Sequence, residues 1–205
     1  MWSNWLRELA AKGSPPPAIP PRLKVADRYA DAALRTQFGA PVRFRRAYID
    51  DGRAIVVNTM FTTCRGSCPG TSATLESLRT TLSPVFGKRL TILSLTLEPA
   101  VDTVARLRTY AGLYGADRER ADLCDWHFLT GDAVGVDALR RSLGFYDLDP
   151  RIDRDVTQHA SLLLCGNSTS DRWAALPAEL PKTELIRTIR RVAGFTFEQK
   201  YGIRA

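Results

Sequence analysis

Long apolar runs are missing from this 205-residue chain. No stretch approaches the ~20 apolar residues that span a bilayer. The first residues, MWSNWLRELAAKG, have no basic head and none of the ~7–15-residue apolar centre of a secretory signal. Cysteine is scarce. Four cysteines are too few to build a disulfide scaffold in a chain of this size, and there are only two histidines. Basic blocks are absent as well. The net charge is +7, yet the arginines are scattered and do not interleave with aromatics. A basic face for an acidic partner or an anionic membrane is one reading of that charge, but the scattering favours ordinary solvated surface charge and argues against nucleic-acid binding. There is no Gly-rich phosphate loop and no Ser/His/Asp order.

What is present is ordinary globular material, 44% apolar and 25% charged. The length fits one domain with a core that needs no covalent staples. Trp2, Trp5, Leu6 and Leu9 share one face of a short amphipathic helix, read as docked on its own domain or a second copy. SPPPAIPP over 14–21 is an extended spacer. The expected division is therefore 1–24 as helix and spacer and 25–205 as the domain.

From Val25 onward the pattern alternates. Ala54–Phe61, Leu90–Leu97, Trp126–Thr130 and Ala160–Cys165 read as strands. Helices are expected over 69–83, which opens at Pro69, over 134–144 and over 182–193. Another starts near Asp102, taken as its N-cap, and carries Val104, Leu107, Tyr110, Ala111 and Tyr114. Strand–helix alternation with a late strand and a terminal helix is an α/β pattern, with parallel strands in the front half.

Cys64 and Cys68 lie in FTTCRGSCP, between a buried strand and a helix start. The positive end of a helix dipole favours a thiolate there, and Arg65 adds charge. Residues four apart share a helical face, so the two sulfurs can form a disulfide or hold one metal ion. The three-residue gap differs from the two-residue gap of ordinary thioredoxins. His159 follows at the edge of the last strand. Two thiolates with an imidazole suit Cu(I), and can also hold Cu(II) or zinc. Cys165 is six residues beyond His159, ~20 Å along a strand, and reads as a buried free thiol. Cys124 reads as a structural thiol or an oxidation site, with a Cys124–Cys165 disulfide left open. His127 reads as structural, and Asp102–Thr103 as a helix start and no acid/base pair.

VVNTMFTTCRGSCPGTSATL resembles the copper-binding CxxxCP region of the Sco/SenC proteins. LTLEPAVDT, WHFLTGD and VTQHASLLL resemble three further blocks of that family, in family order, across roughly residues 40–193. The resemblance implies a thioredoxin-like fold with a central mixed sheet flanked by helices. It implies copper, Cu(I) or Cu(II), held by Cys64, Cys68 and His159. It also implies a part in assembling the dinuclear copper centre of cytochrome c oxidase, by delivering copper or by reducing cysteines. The partner would be the oxidase's copper-centre subunit or another copper or thiol protein. The implied place is periplasmic or inner-membrane-associated, whereas the residues themselves show neither signal nor anchor and leave the cytoplasm open. Two departures stand out: Gln158 where an acidic residue usually precedes the histidine, and Glu98 in place of aspartate. A thiol–disulfide oxidoreductase using Cys64 and Cys68 is the alternative reading, and it needs the cysteines without His159.

Overall fold

The computed structural model describes residues 23–194. The expected N-terminal helix and spacer lie outside these residues. Seven strands form one mixed sheet: β1 Ala33–Thr36, β2 Pro41–Arg43, β3 Ala54–Met60, β4 Leu90–Thr96, β5 Asp125–Gly131, β6 Leu162–Asn167 and β7 Arg172–Pro177. Their order is β2-β1-β5-β4-β3-β6-β7. The central β5-β4-β3 trio is parallel, and β1, β2, β6 and β7 extend it antiparallel on both sides. Among the described residues five α-helices accompany the sheet: α1 Cys68–Phe86, α2 Val104–Gly112, α3 Ala133–Ser142, α4 Pro150–Arg154 and α5 Lys182–Ala193.

β3 and β4 are buried along their whole length, as parallel strands covered on both faces must be. Alternation divides their side chains between two cores. Val56, Met60, Leu90 and Ile92 pack with Leu75, Leu78 and Leu82 of α1 and Leu185 and Ile189 of α5. Ile55, Val57, Leu93 and Leu95 face the other way, onto Phe44, Tyr48 and Val136 and Leu139 of α3. The period-two pattern thus makes a three-layer α/β domain.

Within the described residues, the expected strands and helices are found, with shifts at their ends. α1 runs three residues further, with Pro84 in its last turns. The last expected strand begins later, at Leu162, so His159 stands in the approach to β6 behind a 3-10 turn, Val156–Gln158. The cap of α2 is corrected. Thr103, whose hydroxyl accepts the Arg106 N–H, caps the helix. Asp102 is fully buried and bonded elsewhere.

Candidate metal centre

β3 delivers the chain to the C-terminal edge of the parallel strands, where open α/β sheets place their ligands. The pairing with β4 continues one step past the strand, through Leu97 N–H to Met60 O at 2.8 Å. The chain then turns, with Cys64 N–H on Phe61 O at 3.2 Å. Four residues later Cys68 opens α1, followed by Pro69 at a position where a missing N–H costs nothing. Cys64 is half-buried at the rim and Cys68 is buried beneath it.

His159 arrives from the far side of the sheet. Asp155 caps the 3-10 turn before it, accepting the Thr157 N–H at 3.0 Å and the Gln158 side-chain amide at 2.8 Å. The imidazole stands edge-on to Phe61, with ring centroids 5.8 Å apart. Its Nδ1 faces the Ala160 carbonyl at 3.4 Å. A carbonyl only accepts, so the proton belongs on Nδ1 and Nε2 keeps its lone pair. Nε2 lies 3.4 Å from Cys68 Sγ. Burial lowers the imidazole pKa, which keeps the ring neutral at pH 7.

The two sulfurs and the imidazole nitrogen all lie within 4.8 Å of one another. Bonds of ~2.3 Å to sulfur and ~2.0 Å to nitrogen, the lengths zinc adopts, place the ligands of one ion roughly 3.5–4 Å apart, inside that limit and close to the 3.4 Å between Cys68 Sγ and His159 Nε2. The donor set therefore fits a soft ion held by three ligands, with one side open. The three residues singled out from the sequence are the ones brought together. The thiolate expectation is corrected in part. Burial is the main force pushing the Cys68 thiol up to about 12, with the neighbouring Cys64 thiol adding to it. Desolvation outweighs the helix dipole here, and a metal ion would have to displace the Cys68 proton. Arg65 is exposed at the surface.

The other sulfur and imidazole groups lie elsewhere. All four cysteines are free. Cys124, just before β5, and Cys165, in β6, are both buried in the core. Two strands stand between β5 and β6, so three spacings of ~4.8 Å separate the pair, too far for a disulfide. His127 is structural: its Nδ1 pairs with the Tyr48 hydroxyl at 2.8 Å, and burial lowers its pKa.

Asp102 is the residue whose place sequence reasoning missed. It reaches Thr62, two residues before Cys64. The signal for it is faint, because an aspartate before a helical run looks like a cap wherever its side chain goes.

Solved structures share the architecture. Yeast Sco1 superimposes with a TM-score of 0.61 at 19% identity, over 80% of this chain and 96% of that one. Yeast Sco1 with copper bound gives 0.59 at 19% identity, over 80% and 91%. BsSco, described as a Sco-family cytochrome c oxidase assembly protein with a disulfide switch, gives 0.60 at 20%, over 80% and 92%. The fold is thus the thioredoxin-like one seen in Sco proteins. No curated protein sequence matches the chain. The SCO1/SenC family model matches residues 34–194, a span that holds the cysteine loop, the β4 exit and the histidine turn together, and the chain belongs to that family.

Proposed function

We propose that the protein is a copper metallochaperone that carries one copper ion on Cys64, Cys68 and His159. The observation that carries this reading is the convergence of three soft or borderline donors within 4.8 Å. Copper is cargo here, so the site must bind it and also give it up. Three ligands leave one side of the ion open to an incoming thiol, and half-buried Cys64 is the natural first ligand to exchange. Copper-bound relatives support the choice of metal. The family resemblance supports delivery to the copper-centre subunit of cytochrome c oxidase.

The working unit is the single domain proposed over 25–205, placed in the periplasm or at the inner membrane. A related protein described as a SCO1/SenC family lipoprotein supports that placement. Among the described residues no helix is long and apolar enough to cross a membrane.

A second reading rests on the closeness of the two thiols and on the disulfide switch named for BsSco. The Cys64–Cys68 dithiol would pass two electrons and two protons to a partner disulfide and become a disulfide itself.

Anaerobic Cu(I) titration of the reduced protein separates the two. One tight equivalent is expected, weakened at least ~100-fold, or ~2.7 kcal/mol, in both Cys64→Ser and His159→Ala. Loss in Cys64→Ser with full retention in His159→Ala, together with thiol exchange at wild-type rate, would leave the oxidoreductase.

A further inference from the structure

The loop that carries Cys64 is gripped from outside the thiol site. Asp102 is buried to 0% exposure. Both of its carboxylate oxygens accept the Thr62 backbone N–H, at 3.2 and 3.1 Å. The Thr62 hydroxyl donates to Oδ1. The Thr96 hydroxyl, at the end of β4, donates to Oδ2 at 2.5 Å. Thr96 in turn accepts the Glu98 N–H at 3.0 Å. The Glu98 carboxylate accepts the Thr63 hydroxyl at 2.9 Å. Its carbonyl closes the turn by accepting the N–H groups of Val101 and Asp102 at 2.9 and 2.8 Å. The turn after β4 thus holds both threonines that precede Cys64, and every polar partner of the Asp102 side chain donates to it.

A buried carboxylate costs free energy unless each lone pair is used, and a fully used one fixes whatever it touches. What it touches here is the backbone two residues from a ligand. Metal and redox sites tolerate displacements of only ~0.5 Å, and their supporting groups set that precision. We propose that Asp102 is the positioning residue of the site: through Thr62 it sets where Cys64 stands relative to Cys68 and His159. The inference rests on reading that trio as the working centre, and it applies equally to copper binding and to thiol exchange.

Asp102→Asn keeps the shape but turns an NH2 group toward donors, and Thr62→Val removes the hydroxyl from the other end of the same bond. Val192→Ala, in the core beside the opposite end of β3, serves as a control for lost stability alone. Three quantities are measured on the full chain: Cu(I) affinity against a chromophoric chelator, the Cys64–Cys68 equilibrium with glutathione, and the thermal midpoint. Asp102→Asn and Thr62→Val should each weaken Cu(I) or shift the glutathione equilibrium at least tenfold. The double variant should be no worse than Asp102→Asn alone, because both changes break one connection. Val192→Ala should lose stability and move neither site readout. Wild-type values of both site readouts in Asp102→Asn and Thr62→Val overturn the proposal. So does a loss in Val192→Ala as large as theirs. If the wild type takes up no copper, the chaperone reading fails and the glutathione equilibrium decides this proposal by the same criteria.

Discussion

His159 owes its orientation to very little. Besides the Cys68 sulfur, its ring is set only by Phe61 and by one carbonyl contact at 3.4 Å, and the preceding Gln158 turns away to pair with Asp155. An acid at 158 would stand beside the imidazole and bring a charge that the present site lacks. Such outer partners change metal affinity by ~10–100-fold, and they matter most for the more highly charged ion. Gln158→Glu is therefore expected to tighten Cu(II) by about tenfold and to leave Cu(I) within about threefold. Competition titrations in both oxidation states check this, and equal gains in both would refute it. At this scale the convergence of Cys64, Cys68 and His159 was legible because sulfur and imidazole are rare in the chain and each stands beside a turn. Asp102 was not, because its partner Thr62 lies 40 residues upstream and only the folded sheet brings them together. Nor was the proton on Cys68, since the depth of burial is a property of packing around α1.

Among the elements, the seven-residue apolar strands β3 and β4 and the leucine spacing of α1 and α5 were readable. The outer strands β1, β2 and β7 were not. β1 buries only alternate residues of four, and β2 has three residues with none buried. β7, RWAALP, has no fully buried residue and ends in proline. Its anchoring is specific nonetheless. Trp173 lies directly across from Gly166 in the β6–β7 pair, and its ring occupies the space a side chain would need. A Cβ on Gly166 would sit 1.8 Å from the ring. Trp173 also meets Tyr29 edge to face at 4.8 Å, so the ring joins the sheet to the segment that enters the domain. Gly166→Ala should cost ~1–3 kcal/mol or more, the usual price of overpacking. The added change Trp173→Leu should return part of that loss in urea unfolding. An equal loss with and without Trp173 would show that the ring is not the obstacle.

α1 carries a second feature hidden from periodicity, the buried Arg79. It donates to the carbonyls of Cys124 and Gly115 at 2.8 and 2.9 Å and so ties the helix to the segment before β5. Arg79→Met keeps the packing stem and strands both carbonyls. A loss of ~1–3 kcal/mol per unsatisfied group is expected, read as a lower urea midpoint. An unchanged midpoint would show that water replaces the guanidinium.

At the scale of the whole molecule, the two halves of the proposed metal centre come from parts of the chain 91 residues apart, and each has its own support. The cysteine half is built into the central parallel strands, whose alternation of strand and helix patterns made the α/β class readable. The histidine half hangs on the segment from α3 to the 3-10 turn, and one aspartate organises it. The Asp153 side chain, 2% exposed, accepts from Arg140 at 2.7 and 2.9 Å, from Arg141, and from the Asp147 N–H at 3.1 Å. It thereby joins α3, the loop after it and α4. Spacing along the chain gave no sign of this, because each of these charges reads as a solvated surface group. The Arg140 guanidinium holds the Asp153 carboxyl well below the usual carboxylate range. A depressed folded pKa means that its stabilisation is complete above the unfolded value of ~3.9 and is lost as pH falls from there toward the folded pKa. Asp153→Asn should therefore cost ~1–3 kcal/mol at pH 7 and lose less than the wild type on acidification below pH ~4. Urea unfolding measured between pH 7 and pH 3 checks the slope. The same variant should loosen Cu(I) while leaving the Cys64–Cys68 glutathione equilibrium in place, because the arm it releases carries His159 and not the thiols. A parallel loss in both readouts would mean instead that the two halves of the site stand or fall as one body.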